Sequence, residues 1–232
     1  MNELRATGFS LSETAENYLK AIYQLRRPGE KVSTSALAQH FCVAPASATG
    51  MLKKLARERP ALVDYAPRYG VSLTELGENV ALEVVRHHRL LESYLHEALG
   101  YSWDEVHAEA ERLEHVISEQ FEDRIAKHLG EPSFDPHGHP IPTRAGECAD
   151  APGDCLSGLE VGHSGRVTRV AADDNPAMLR YLAELGIVPN ARITVTAKAP
   201  FGGPLQVQVD DAEESHALGA RVTDSVYILI DS

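Results

Sequence analysis

"VSTSALAQHFCVAPASATGMLKKLARE" occupies residues 32–58. It reads as two short helices flanking a tight connection, with Pro45 at a first helical position, where its missing N–H costs nothing. Upstream, SLSETAENYLKAIYQL (residues 10–25) places Ala15, Leu19, Ile22, Tyr23 and Leu25 at helical spacing behind a Ser10 to Glu13 capping box, and Pro28-Gly29 ends the run. Downstream, ALVDYAPRYGVSLT (residues 61–74) holds two β-rich runs around Pro67 to Gly70, a small hairpin. Helix, tight turn, helix and hairpin is the order of a winged helix-turn-helix. Its second helix enters the major groove of double-stranded DNA and its wing touches the backbone. Ala46, Ser47, Thr49 and Gly50 are small enough to let that helix approach base edges. Lys53, Lys54 and Arg57 follow for phosphates, and Arg68 with Tyr69 falls at the wing tip. The plainer alternative is a tri-helical core whose lysines are only solvated.

The charge pattern sharpens this reading. The chain has 232 residues and a net charge of -12, but residues 1–80 carry +2 while 81–131 and 132–232 carry -7 each. Only the first third approaches phosphates without strong repulsion, and the middle is where a cation is welcome. A hydrophobic content of 43% and a charged content of 24% are ordinary for a soluble globular protein of more than one domain. No apolar run nears the roughly 20 residues that span a bilayer. MNELRATGFSLSE lacks the features of a secretory signal, so a cytoplasmic location is expected. Cys42, Cys148 and Cys155 match no common zinc spacing and are read as reduced thiols.

From Thr74 a long amphipathic helix is expected to about Leu99, and a Ser102 to Glu105 capping box opens another over 103–129. Separated by Gly100 and Tyr101, the two are expected to fold into a hairpin. VHAEAERLEHVISEQ (residues 106–120) sets His107, Glu111, Glu114 and His115 on one helical stripe, and the preceding helix offers His88 and Glu92 four apart. Facing stripes of imidazole and carboxylate suit a divalent first-row metal. Each residue alone is ordinarily solvated surface. His87 is read as surface or packing, and His137 and His139 as solvated. A metalloenzyme would need an open coordination position in a substrate pocket. There is no H-E-x-x-H motif, phosphate loop or evident nucleophile. A metal buffer with an idle DNA domain is the third class.

Between 131 and 158 five prolines and several glycines mark a linker. GRVTRVA, ARITVTA, PLQVQV and SVYILI then give short strands, with one helix near PAMLRYLAEL, as in a small barrel. The expected organisation, mainly α with β, is a winged helix-turn-helix domain over 1–75, a helical domain over 76–141, a linker over 142–158 and a β-barrel over 159–232.

TAENYLKAIYQL, HHRLLESYLHEALG, VHAEAERLEHVIS, GHPIP and VPNARITV together resemble the diphtheria toxin repressor family of metal-dependent transcriptional regulators over nearly the whole chain. The resemblance implies a homodimer that binds operator DNA with a metal corepressor, a helical dimerisation domain bearing the metals, and an SH3-like (FeoA-like) last domain. It implies one site from His88, Glu92 and His107 completed by barrel groups, with Asp173 and Asp174 as candidates. It implies another from Asn17, Glu111, Glu114 and His115. Iron-responsive members typically carry cysteine where Glu111 stands, and methionine or aspartate where Asn17 stands. A carboxylate in place of a thiolate makes the site harder, so Mn2+ is expected as corepressor and Fe2+ is the alternative. Lys20, one turn on from Asn17, cannot ligate while protonated and argues against an extra carboxylate-bridged manganese. Gly50 stands where some members carry a base-facing glutamine, so their operator sequence does not transfer.

Overall fold

A computed structural model describes residues 11–172, 174–210, 212 and 214–231. The chain divides into two compact units. One runs up to His87 and takes in Pro142–Glu147; the other comprises His88–Ile141 and the residues from Cys148 onward.

In the first unit, α1 (Glu13–Leu25) starts at Ser12, whose hydroxyl accepts from the Ala15 N–H, and Glu13 and Glu16 favour the positive end of the helix dipole. The N-cap is thus Ser12; Ser10, expected in that role, lies outside the described residues. Helices α2 (Thr34–His40) and α3 (Pro45–Arg57) are joined by four residues, with Cys42 at φ 52° making the turn. Ala48, Leu52 and Leu55 of α3 pack with Leu19, Ile22 and Leu37 in one core. Strands β1 (Val63–Ala66) and β2 (Gly70–Leu73) form the antiparallel hairpin, and Val32 bridges to Val71 on its far edge. Gly70, at φ 93°, has no room for a side chain, since a Cβ there would lie 2.6 Å from the Val32 carbonyl oxygen.

Helix α4 (Glu75–Leu99) is opened by Thr74, whose hydroxyl accepts from the Gly77 N–H. It ends at Gly100, φ 72°, where the Gly100 and Tyr101 N–H groups return to the carbonyls of His96 and Leu95. The single helix expected over 103–129 is two, α5 (Val106–Leu113) and α6 (Glu119–His128). Ser118 causes the break: its hydroxyl accepts from the Phe121 N–H and starts a new helix, behind the β-branched pair Val116 and Ile117. The Ser102 to Glu105 contact exists, but it closes a turn ahead of α5. Leu90, Leu91, Leu95, Val106, Ala110, Ile125 and Ile141 form the helical core of this second unit.

The SH3-like domain is a six-stranded antiparallel sheet. Its strands are β3 (Asp154–Cys155), β4 (Ser164–Val170), β5 (Arg192–Lys198), β6 (Leu205–Val209), β7 (Ser215–Leu218) and β8 (Val226–Ile230), in the order β3-β8-β4-β5-β6-β7. Alternate residues Ile193 and Val195, and Leu205, Val207 and Val209, point into its core. Helices α7 (Pro176–Glu184) and α8 (Ala220–Thr223) complete the domain. Asp154 and Cys155 already pair with β8, so the sheet takes residues from the segment read as linker. Trp103, from the turn ahead of α5, is 9% exposed and sits in the barrel core, which fastens helices and barrel into one unit. Among the described residues no helix is long and apolar enough to cross a membrane.

Candidate metal centre and nucleic-acid interface

His88, on α4, is the pivot of the ligand cluster. Its Nε2 lies 2.9 Å from Glu92 Oε1 and 3.0 Å from His107 Nδ1, while its Nδ1 lies 2.5 Å from Glu114 Oε2. His107 Nδ1 is also 3.2 Å from Glu92 Oε1. Glu111 Oε1 stands 3.9 Å from His107 Nε2 and 4.0 Å from His88 Nδ1, and His115 Nε2 is 3.3 Å from Glu114 Oε1. Two groups follow, His88 with Glu92 and His107, and His88 with Glu111 and Glu114, each with its ligand atoms within 4.8 Å of one another. Donors about 2.0–2.2 Å from one ion sit at most ~4.4 Å apart, so small side-chain shifts bring either group onto a cation.

The helix break shapes this arrangement. Glu114 is the C-cap of α5, and its carboxylate is fully buried against His88. Glu111 remains on the helix with its side chain 40% exposed. Burial alone pushes the Glu92 carboxyl up; the charge of His88 and hydrogen bonds with His107 and His88 outweigh it and hold the group well below the usual carboxylate range. Glu92 is therefore ionised at neutral pH, yet its Oε2 is buried with no hydrogen-bond partner. An orphaned anionic oxygen beside two imidazoles is a donor set that fits a dication.

Of the remaining expected ligands, Asn17 and Asp174 are among the described residues. Asn17 is half-buried on α1, in the other unit. Asp174 is exposed in the turn that leads to Asn175, the N-cap of α7, and joins no ligand group among the described residues. Asp173, the other member of that acidic pair, is outside the described residues. The group that does approach is His137, which, like His139, reads from the sequence as solvated. His137 is fully buried with Nδ1 3.9 Å from Glu92 Oε1, and His139 and Asp135 lie beside it. The spacing D-x-H-x-H at 135–139 was the available signal, masked by the prolines around it.

On α3, Ala46, Ser47, Gly50, Lys53 and Lys54 are exposed and Thr49 is half-buried, on the face opposite Ala48, Leu52 and Leu55. Arg68, at φ 70°, and Tyr69, 80% exposed, form the hairpin tip. A Cβ on Gly50 would meet nothing within 4 Å, so packing does not require this glycine. Gly50→Ala is expected to stabilise the fold by about 0.5–1 kcal/mol in a denaturant titration. An unchanged or lower midpoint would show a structural need for glycine that the open space does not reveal.

Three family profiles tile the chain. Those described as iron dependent repressor, N-terminal DNA binding domain, and iron dependent repressor, metal binding and dimerisation domain, match residues 10–71 and 74–143, and a FeoA domain matches 155–229. The iron-dependent repressor IdeR of Mycobacterium leprae is 35% identical over 196 residues, 80% of this chain and 84% of that protein. The diphtheria toxin repressor of Corynebacterium diphtheriae is 34% identical over 132 residues, 57% of this chain and 58% of that protein. Among solved structures, a manganese-dependent transcriptional repressor in complex with manganese is 40% identical, with a TM-score of 0.85 over 93% of this chain and 99% of that one.

Proposed function

The chain belongs to the diphtheria toxin repressor family of metal-dependent transcriptional repressors, DNA-binding proteins and not enzymes, and from that premise we propose that manganese(II) is its corepressor. The observation that carries the metal assignment is the donor set. His88, Glu92, His107, Glu111, Glu114 and His115 supply only imidazole nitrogen and carboxylate oxygen, and none of the three cysteines joins a ligand group among the described residues. Hard oxygen donors favour manganese, whereas a thiolate would favour softer ions. The manganese repressor at 40% identity supports this reading, and the relatives named as iron-dependent make Fe2+ the alternative that the test must separate.

A bound dication would supply the positive charge that the clustered carboxylates otherwise lack. The protein's own groups do the rest. His88 shares its two ring nitrogens between the two groups, so it couples them. Asn17, assigned from the family resemblance, is proposed to add a neutral oxygen from the DNA-binding domain. A homodimer presents two α3 helices to successive major grooves of operator DNA, with Ala46, Ser47, Thr49 and Gly50 against base edges and Lys53, Lys54 and Arg68 on phosphates. Metal favours the DNA-competent arrangement only through its higher affinity for that arrangement, each tenfold preference being worth about 1.4 kcal/mol. The regulated genes are proposed to be those of metal homeostasis.

Glu111→Cys tests the metal assignment. The thiolate is expected to shift the metal response of DNA binding towards Zn2+ and anaerobic Fe2+ by tenfold or more relative to Mn2+, read as the metal concentration at half-maximal binding. An unchanged order of metals would remove Glu111 as the selectivity residue.

A further inference from the structure

Beyond the metals already assigned, we propose that Asp135, His137 and His139 form a separate divalent-cation site, in the loop that holds the barrel against the helical segment. One ligand atom from each lies within 4.8 Å of the others, with Asp135 Oδ2 and His139 Nδ1 3.5 Å apart. This loop is built, not slack. Asp135 Oδ1 accepts from the backbone N–H groups of His137 and His139, at 2.8 Å and 2.9 Å, which wraps the chain around the carboxylate and leaves Oδ2 to point elsewhere. That Oδ2 is buried and makes no hydrogen bond.

His137 supplies the second independent observation. It is fully buried, and its Nε2 lies 2.8 Å from the Trp103 carbonyl oxygen. A carbonyl only accepts, so Nε2 carries a proton, and Nδ1 is the ring nitrogen left to face a ligand. Nδ1 is buried without a hydrogen-bond partner. A backbone carbonyl fixing the tautomer of one nitrogen while the other presents its lone pair is the usual second-shell arrangement of a metal-ligating histidine. Arg89 counts the other way, since its Nε is 3.7 Å from Asp135 Oδ2 and its guanidinium donates to the Pro140 carbonyl. It offsets the Asp135 charge, and an arriving ion competes with it.

The loop is clamped to the barrel at the same residues. The Val170 N–H donates to the His137 carbonyl at 2.8 Å, and a Cβ on Gly138 would lie 2.0 Å from the Thr168 carbonyl oxygen, where β4 bulges. An ion here therefore fixes the loop on which the barrel is seated. Two imidazoles and one carboxylate are more nitrogen-rich than the Glu111 and Glu114 group, and nitrogen donors rank Zn2+ and Co2+ above Mn2+.

The test uses the full chain without DNA, so it stands or falls independently of the corepressor assignment. Zn2+ bound per chain is counted by equilibrium dialysis and elemental analysis in wild type, Asp135→Asn, His139→Gln, His107→Ala and the His107→Ala/Asp135→Asn double variant, with thermal melts as the folding check. Asn at 135 keeps an oxygen for the two backbone N–H groups, so the loop is retained. The expected result is the loss of one ion, or a tenfold or greater fall in affinity for it, in both Asp135→Asn and His139→Gln. The same loss appears again on the His107→Ala background. Counts and affinities equal to wild type in folded Asp135→Asn and His139→Gln would overturn the proposal. So would a double variant that loses no more than His107→Ala alone, because the loop residues would then belong to the neighbouring centre.

Discussion

His88→Ala is expected to abolish metal-stimulated DNA binding, lowering affinity at saturating Mn2+ by at least a hundredfold. No other residue is common to the group with Glu92 and His107 and the group with Glu111 and Glu114, so one truncation removes a donor from each. The same change harms the metal-free fold. Glu92 and Glu114 are both buried, with side chains at most 1% exposed, and His88 lies between them at 2.9 Å and 2.5 Å. Removing one partner from a buried ionic cluster costs about 3–5 kcal/mol. A denaturant titration in chelator checks this part, and a gel-shift series in Mn2+ checks the other. Glu111→Ala, whose side chain is 40% exposed against at most 1% for Glu92 and Glu114, is the control: it is expected to weaken metal response while leaving metal-free stability within about 0.5 kcal/mol. Full metal response in His88→Ala would break the link between this cluster and DNA binding.

Trp103→Ala is expected to destabilise the second unit by about 3–5 kcal/mol, as for a large aromatic removed from a core. The ring is buried among barrel residues and lies 5.5 Å from the His137 ring, and the Trp103 carbonyl accepts a hydrogen bond from His137 Nε2. Its indole Nε1 is buried with no hydrogen-bond partner. Trp103→Phe keeps most of the apolar surface and discards that orphaned donor, so it is expected to cost less than half as much as the alanine change. Denaturant titration followed by circular dichroism measures both. Equal losses in the two variants would mean that the indole itself, and not apolar volume, decides the position.

Local signals carried the fold where they stood close together in the chain. The turn around Cys42, Pro45 at the start of α3 and the β-rich runs either side of Pro67–Gly70 specify a helix-turn-helix and wing without long-range information. The four-residue spacing of His88 and Glu92 is likewise readable on any helix, and the structure brings both to His107. The break at 114–118 was less legible, because Glu114 and His115 also fit a continuous helical stripe and only burial of Glu114 against His88 decides between them. The role of residues 131–141 was hidden more deeply. Prolines and glycines there read as linker, but Asp135 binds two backbone N–H groups of its own loop and His137 is sealed by Trp103, a partner 34 residues away in sequence. Such burial is set by tertiary packing, which composition does not encode.

The most direct test of manganese as corepressor is retention of genomic DNA fragments by the purified wild-type chain. It is run in Mn2+, in anaerobic Fe2+, in Zn2+ and in chelator, at one fixed salt concentration because phosphate contacts are salt-dependent. A small set of fragments is expected to be retained in Mn2+ at metal concentrations where Fe2+ and Zn2+ retain few, and lost in chelator. The same fragments retained in chelator, or retained in Fe2+ and not in Mn2+, would contradict manganese as corepressor.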